Sequence, residues 1–154
     1  MSSLYESFKT DPDLEIKGVN IDYGNTLITI ARAGGANKKF TKRLEQLTKQ
    51  YRRAIQTETM DNEVALDILR HAYAETIVLR WETRGSSTTD DDGVETPGTM
   101  MVGIEGPDGD ILQFNVENIA MTFKNLPDLF ADVQQSANSA ALYRAVVLEV
   151  DSGN

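Results

Sequence analysis

The chain has no cysteine, one histidine, one tryptophan and four prolines in 154 residues. Without cysteine there is no disulfide framework, no thiolate zinc site and no thiol nucleophile. A single histidine leaves little for imidazole chemistry, and no HExxH or GxSxG pattern occurs. The phosphate-cradling spacings GxxxxGK[ST] and GxGxxG are missing too. No stretch approaches the roughly 18 apolar residues that would span a bilayer. The opening MSSLYESFKTDPDLE lacks a basic region followed by an apolar core, so no signal peptide is expected. No repeat of about 20–50 residues is visible. The expectation is a soluble, intracellular, non-catalytic protein with no cofactor and no metal.

What is present is an ordinary globular composition, 40% hydrophobic and 25% charged, in a chain long enough to bury a core without crosslinks. The net charge of −9 conceals an asymmetry. Between Arg32 and Arg53 lie eight basic residues and one acid, a net +7, which leaves −16 on the remainder. So acidic a protein is repelled at long range by nucleic acid and by anionic membranes, and neither is expected as a partner. The basic segment can still meet an acidic protein surface.

Taken in order, Leu4, Tyr5 and Phe8 stand at helical spacing behind Ser2 and Ser3, predicting a short opening helix that Asp11-Pro12-Asp13 ends. From Ile16 a two-residue period through Val19, Ile21 and Tyr23, then Gly24-Asn25, then Leu27, Ile28 and Ile30 predicts a hairpin whose alternation slips near Lys17-Gly18. Gly34-Gly35 gives a sharp turn, and Asn37 is placed to cap the helix that follows. Phe40, Leu44, Leu47, Tyr51 and Ala54/Ile55 form one apolar stripe of a long helix, the expected core contribution, with most of the basic side chains opposite. A second long helix begins at Asp61, with Ala65, Ile68, Leu69, Ala72, Thr76 and Leu79 on one face. Around Ile77 to Trp81 apolar residues point in nearly every direction. That end is either buried on several sides or already strand, and burial is the reading adopted.

From Thr83 to Gly98 hardly an apolar residue occurs, predicting a mobile acidic loop at about 83–98. Beyond it, Met100 to Ile104 and Ile111 to Phe114 flank Gly106-Pro107-Asp108-Gly109-Asp110, a second hairpin. Asn115 then caps a short helix through Phe123, and Pro127 opens a last helix with Phe130, Val133, Ala137, Ala140 and Ala141 on an alanine-rich face that another helix could approach. The expected fold class is α+β, a predominantly helical single domain over 1–150 with two small β-hairpins, and a frayed tail at 151–154.

Three local clusters are weighed and set aside. His71 has Asp67 and Glu75 four residues to either side on a helix, a spacing that suits a metal but suits helix ion pairs better. Asp90-Asp91-Asp92-Gly93 has the look of part of a calcium loop, but with Gly93 at the sixth position Thr88 stands first and Thr99 twelfth, where a bidentate glutamate is needed. Gly34-Gly35 before a lysine-rich helix reads as a strand-to-helix turn. The feature with functional content is the basic back of that helix, where Lys38, Lys42, Lys49, Arg52 and Arg53 are the expected contacts to an acidic partner. Its bland alternative is a solvated helix face. RNA or DNA contact is disfavoured because Phe40 and Tyr51, which could stack on bases, are committed to the core stripe.

Four segments, LYESFKTDPDLEIKGVNIDYG, IARAGGANKKFTKRLEQLTKQYRRAI, DNEVALDILRHAYAETIVLRWE and FNVENIAMTFKNLPDLFADVQQSANSAALYRA, together resemble the tail assembly chaperone family of long-tailed bacteriophages. The resemblance covers most of the chain apart from the acidic loop and the tail, and none of its motifs is catalytic. It implies a small protein of the host-cell cytoplasm that acts in tail morphogenesis and is absent from the mature virion. It also implies binding to the tape measure protein and recruitment of tail tube subunits; self-association is a separate expected contact. The acidic remainder would supply solubility. The alternative is a structural virion protein of the tail or head–tail junction, and a third reading is a nucleic-acid-binding regulator.

Overall fold

The computed structural model describes residues 3–144. The expected tail at 151–154 lies outside the described residues. A short helix α1 (Leu4–Phe8), capped by Ser3, leads to α2 (Pro12–Lys17). Asp11-Pro12 thus starts a helix where the sequence predicted an end, because Asp11 accepts from the Asp13 N–H and Pro12 occupies the first turn, where its missing donor costs nothing. Ile16 therefore belongs to a helix, which accounts for the slip in the predicted alternation. Gly18 stops it at φ +91°, where a Cβ would lie 2.8 Å from the Ile30 carbonyl oxygen.

Strands β1 (Val19–Asp22) and β2 (Thr26–Ile30) form the first hairpin, its turn closed by Asp22 accepting from the Gly24 N–H. The basic segment follows as α3 (Lys38–Thr48), a 3₁₀ turn (Lys49–Tyr51) and α4 (Arg52–Gln56). Helix α5 (Asn62–Thr76), capped by Asp61, leads into strand β3 (Val78–Arg84). Two-residue strands β4 (Thr88–Thr89) and β5 (Glu95–Thr96) precede β6 (Met100–Val102). Then come β7 (Ile104–Glu105), β8 (Ile111–Leu112), α6 (Val116–Asn125), α7 (Pro127–Ala137) and a 3₁₀ turn (Ala140–Tyr143).

The expectation of a mostly helical protein with two small hairpins is corrected by a four-stranded antiparallel sheet in the order β1-β2-β3-β6. Its missing strand is the end of the second long helix. At Ile77 the helix stops, the Ile77 carbonyl accepts from Ala31 N–H, and VLRWETR, with Val78 and Thr83 β-branched and Trp81 aromatic, pairs with β2. Ile30 faces Val78 and Thr29 faces Arg80, so Leu79 is the extra residue of a bulge and turns outward. That bulge explains why apolar residues from Ile77 to Trp81 point in so many directions.

The second expected hairpin is likewise divided. Met100–Val102 joins β3, whereas Ile104–Glu105 pairs with Ile111–Leu112. Gly103, at φ +152°, makes the switch, and a Cβ there would sit 2.3 Å from Ile111 Cγ2. The predicted loop is corrected too: Thr83 is buried in β3, and residues 88–89 and 95–96 form a small ladder on an exposed excursion between β3 and β6.

One face of the sheet carries the core. Ile28, Ile30, Val78 and Trp81 pack with Tyr73, Ala74 and Ile77 of α5, Ile119 and Phe123 of α6, and Phe130, Val133 and Ala137 of α7. Aromatic contacts thread these elements together: Phe40 to Tyr73 at 5.2 Å, Tyr73 to Phe130 at 5.4 Å and Phe130 to Phe123 at 4.8 Å between ring centroids. The opposite sheet face carries polar pairs, Thr29 donating to Asn20 and an Arg80–Glu82 ion pair, beside Leu27 and the exposed Val102. Of the stripe on α3, only Phe40 packs against the core, and Leu44, Leu47 and Tyr51 are half-buried. The expected core stripe is therefore peripheral, because α3 has chiefly α5 to lie against. The alanine-rich end of the chain is used internally: Ala137 is buried and its carbonyl accepts from Ala33 N–H.

Three tyrosines tie distant elements. Tyr143, buried, donates to the Ile30 carbonyl; Tyr73 accepts from Asn138; Tyr23 donates to Asp132 at 2.5 Å, joining the first hairpin to α7. Burial raises the hydroxyl pKa of each above its ordinary value, and for Tyr23 the Asp132 carboxylate adds to it. A raised folded-state pKa contributes stability that is complete below the unfolded value near 10 and is lost as pH rises beyond it. Urea unfolding midpoints should stay level between pH 7 and about 9 and fall steeply above about 10. Tyr143→Phe should flatten the fall, and an unchanged slope would remove Tyr143 from it.

Candidate partner-docking face

The turn that launches α3 is built over a buried carboxylate. Glu15, 3% exposed, pairs with Arg32 Nη1 and accepts from the Ala36 N–H at 3.3 Å. Gly34 (φ +134°) and Gly35 (φ +55°) wrap the chain over it, and a Cβ on Gly35 would fall 2.0 Å from Glu15 Oε2. The glycines serve an internal ion pair and not a phosphate. Asn37 stands at the N-cap position but does not cap: its amide donates to the Arg32 carbonyl at 2.9 Å.

From this junction α3 extends with its apolar stripe toward α5. Lys38, Lys42 and Lys49, spaced four and seven apart, share the opposite side, spread over roughly 17 Å of helix axis. Beyond the 3₁₀ turn, Arg52 lines a groove together with Lys49, and Arg53 follows it in α4. All five are exposed, and none forms an ion pair with a described residue. The structure therefore leaves all five expected contact residues open to solvent, with Lys38, Lys42 and Lys49 on one side of α3 and Arg52 beside Lys49. It withholds Arg43, whose guanidinium is engaged by both Glu75 oxygens and so ties α3 to α5. Arg32 is likewise spent on Glu15.

The 3₁₀ turn at Lys49–Tyr51 adjoins a further feature of this surface. Glu45, Thr48, Lys49, Arg52, Ile55 and Gln56 line a shallow groove of about 280 Å³. Ile55 is 46% exposed there, beside two cations and one carboxylate. The strip suits an acidic helix or extended segment that also carries an apolar side chain.

The other candidate clusters do not assemble. His71 Nδ1 lies 2.9 Å from the Asp67 backbone oxygen and 3.7 Å from Asp67 Oδ1, while Glu75 is turned to Arg43, so the three side chains do not converge on one point. In the acidic excursion Asp90 Oδ1 accepts from the Asp92 and Val94 N–H groups, and Gly93 takes φ +81°. That carboxylate holds a turn. A cleft of about 340 Å³ beside the β7–β8 turn is lined by Glu105, Gly106, Pro107, Thr122, Asn125 and Leu126, with Glu105 its one ionisable group. Among the described residues no helix is long and apolar enough to cross a membrane.

Two features escaped the sequence reading. Arg70, 6% exposed, is held by Glu63 at 2.6 Å in α5, and the Glu63/Asp67 spacing on its own helix was the available signal. The pairing of Glu15 with Arg32 had none, since the two are 17 residues apart on different elements.

Residues 35–100 match the YdaY prophage protein family. The matched stretch runs from the turn over Glu15 through the basic strip and α5 to the start of β6. The similarity points to a phage-derived protein and specifies no role in tail assembly. No curated protein and no solved structure matches the chain.

Proposed function

We propose that this chain is a non-catalytic tail assembly chaperone of a phage, working in the host-cell cytoplasm and absent from the finished virion. In this reading it binds the tape measure protein and helps recruit tail tube subunits around it. The observation that carries the reading is the set of exposed cations Lys38, Lys42, Lys49, Arg52 and Arg53, none of them ion-paired with a described residue, beside the exposed Ile55. Prophage similarity over the same stretch agrees with it. A chaperone of this kind needs solubility and a docking surface. The acidic remainder and the strip supply those two properties separately.

Complementary charge mainly sets encounter rate and register, each exposed pair being worth up to about 1 kcal/mol. The triple reversal Lys38→Glu, Lys42→Glu and Arg52→Glu removes three attractions and adds repulsion. Co-purification with the tape measure protein should drop by roughly 50-fold, corresponding to about 2–3 kcal/mol. The circular dichroism spectrum and melting temperature should hold, because none of the three side chains forms an ion pair with a described residue. Undiminished capture would take the strip out of the interface. Mass spectrometry of purified particles is the second check, and a fixed stoichiometry there would replace the chaperone with a structural virion component. Binding to nucleic acid that weakens steeply with salt would favour the regulator instead.

A further inference from the structure

The main sheet ends in two unlike edges, β1 and β6. β1 carries Asn20 and the charged Asp22, whereas residues 99–104 around β6 read TMMVGI, with no charge and no proline. Charges and prolines are what ordinarily keep a sheet edge from pairing with another strand, and β6 has neither. Two of its three side chains, Met101 and Val102, are 44% and 51% exposed.

The ladder to β3 settles which backbone groups this edge holds outward. Gly103 N–H donates to the Trp81 carbonyl and Gly85 N–H donates to the Thr99 carbonyl. Bonded residues alternate along an antiparallel strand, so Thr99, Met101 and Gly103 spend their backbone groups on β3. Met100 and Val102 therefore point theirs away from the sheet, an N–H and a carbonyl each. The chain leaves the edge at Gly103, where it turns to pair β7 with β8, so the open stretch is Met100–Val102.

We propose that β6 docks against β6 of a second copy of this chain, antiparallel about Met101, making one sheet continuous across both copies. That register is self-complementary. Met100 stands opposite the partner's Val102, and Val102 opposite the partner's Met100, so each pair exchanges both of its bonds and every outward N–H meets an outward carbonyl. The charges agree with it as well. Arg84 faces Met100 and Glu82 faces Val102, so each row across the joint runs Arg84, Met100, the partner's Val102, the partner's Glu82, with opposite charges at its two ends. Met101 lies on the two-fold axis against the partner's Met101. So short a joint makes a weak dimer, with a dissociation constant of roughly 10–100 µM.

The lack of native cysteine makes a crosslinking test clean. Met101→Cys alone, oxidised above the dissociation constant, should join to itself across the axis, where directly opposed Cβ atoms lie about 4.5–5.5 Å apart. Val102→Cys, whose nearest like thiol is diagonal at about 7–8 Å, should give at least tenfold less disulfide dimer. Equal yields from the two would overturn the proposal. Sedimentation equilibrium supplies the other arm. Val102→Pro removes one outward N–H and leaves the ladder to β3 whole, which an edge strand tolerates, and it should weaken dimerisation at least tenfold. Met101→Lys should do the same by placing like charges on the axis, and it keeps the test sound if the proline variant fails to fold. Dimers undiminished in a folded variant would overturn the proposal. A wild-type chain that stays monomeric up to about 1 mM would overturn it too, and would hand the edge to a strand of another protein. Neither variant touches α3 or α4, so the outcome is independent of the chaperone reading.

Discussion

Arg32→Ala is expected to lower the stability of the fold by about 3–5 kcal/mol, because it strands a buried carboxylate. Glu15 is 3% exposed, and once the guanidinium is gone its described side-chain partner is one backbone N–H, that of Ala36, at 3.3 Å. A charge in that position has lost its water without regaining an equivalent. Arg32→Lys should lose less, since the charge stays but the planar fork does not. Gly35→Ala presses on the same carboxylate from above, its Cβ falling 2.0 Å from Oε2. It should be destabilising in the wild type and milder in a Glu15→Ala background, a coupling that a double-mutant cycle reads directly. For a chain of this size the arginine loss corresponds to a drop of roughly 10–15 °C in melting temperature. Urea titration checks the figure, and a loss under about 1 kcal/mol would mean that the pair is far more solvated than its burial indicates.

Phe123→Ala should cost a similar amount, about 3–5 kcal/mol, for a different reason. The ring is fully buried where α6 meets the sheet, 6.0 Å from Trp81 and 4.8 Å from Phe130 between centroids. Removing it opens a cavity bounded by a strand and two helices, none of which can close over it alone. Leu44→Ala is the informative contrast. Both residues look like core positions in an amphipathic helix, but Leu44 is half-buried on the outlying α3 and should cost under about 2 kcal/mol. Comparable losses at the two sites would put α3 within the core after all.

That contrast shows where local pattern stops being informative. The period of α3, the Asn115 cap and the Pro127 start are properties of a few neighbouring residues, and the sequence displays them. Whether a stripe is core or periphery depends on how many elements close over it, which periodicity does not encode. The change from α5 to β3 was missed for a related reason. Ile77 to Trp81 can be helix or strand by composition, and β2, some fifty residues earlier, decides it by offering an open ladder edge. Leu79 disguised the strand further by occupying a bulge. The basic strip was legible because like charges recurred at helical spacing. Removing Arg43 from it required the position of Glu75, 32 residues away. The burial of Glu15 was illegible altogether, since an acid in a short exposed-looking helix gives no sign that an arginine lies above it.

The excursion between β3 and β6 has an implication for how this chain tolerates change. Arg84 faces Met100, and Gly85 N–H donates to the Thr99 carbonyl, so the main ladder is closed before the excursion begins. Everything from 86 to 98 hangs from that closed pair, and lengthening such a loop costs only about 0.6 kcal/mol per doubling. The segment is a length-independent port. A fluorescent tag, a protease site or an added binding epitope placed between Asp91 and Asp92 would ride outside the sheet, on the far side of a ladder already complete without it.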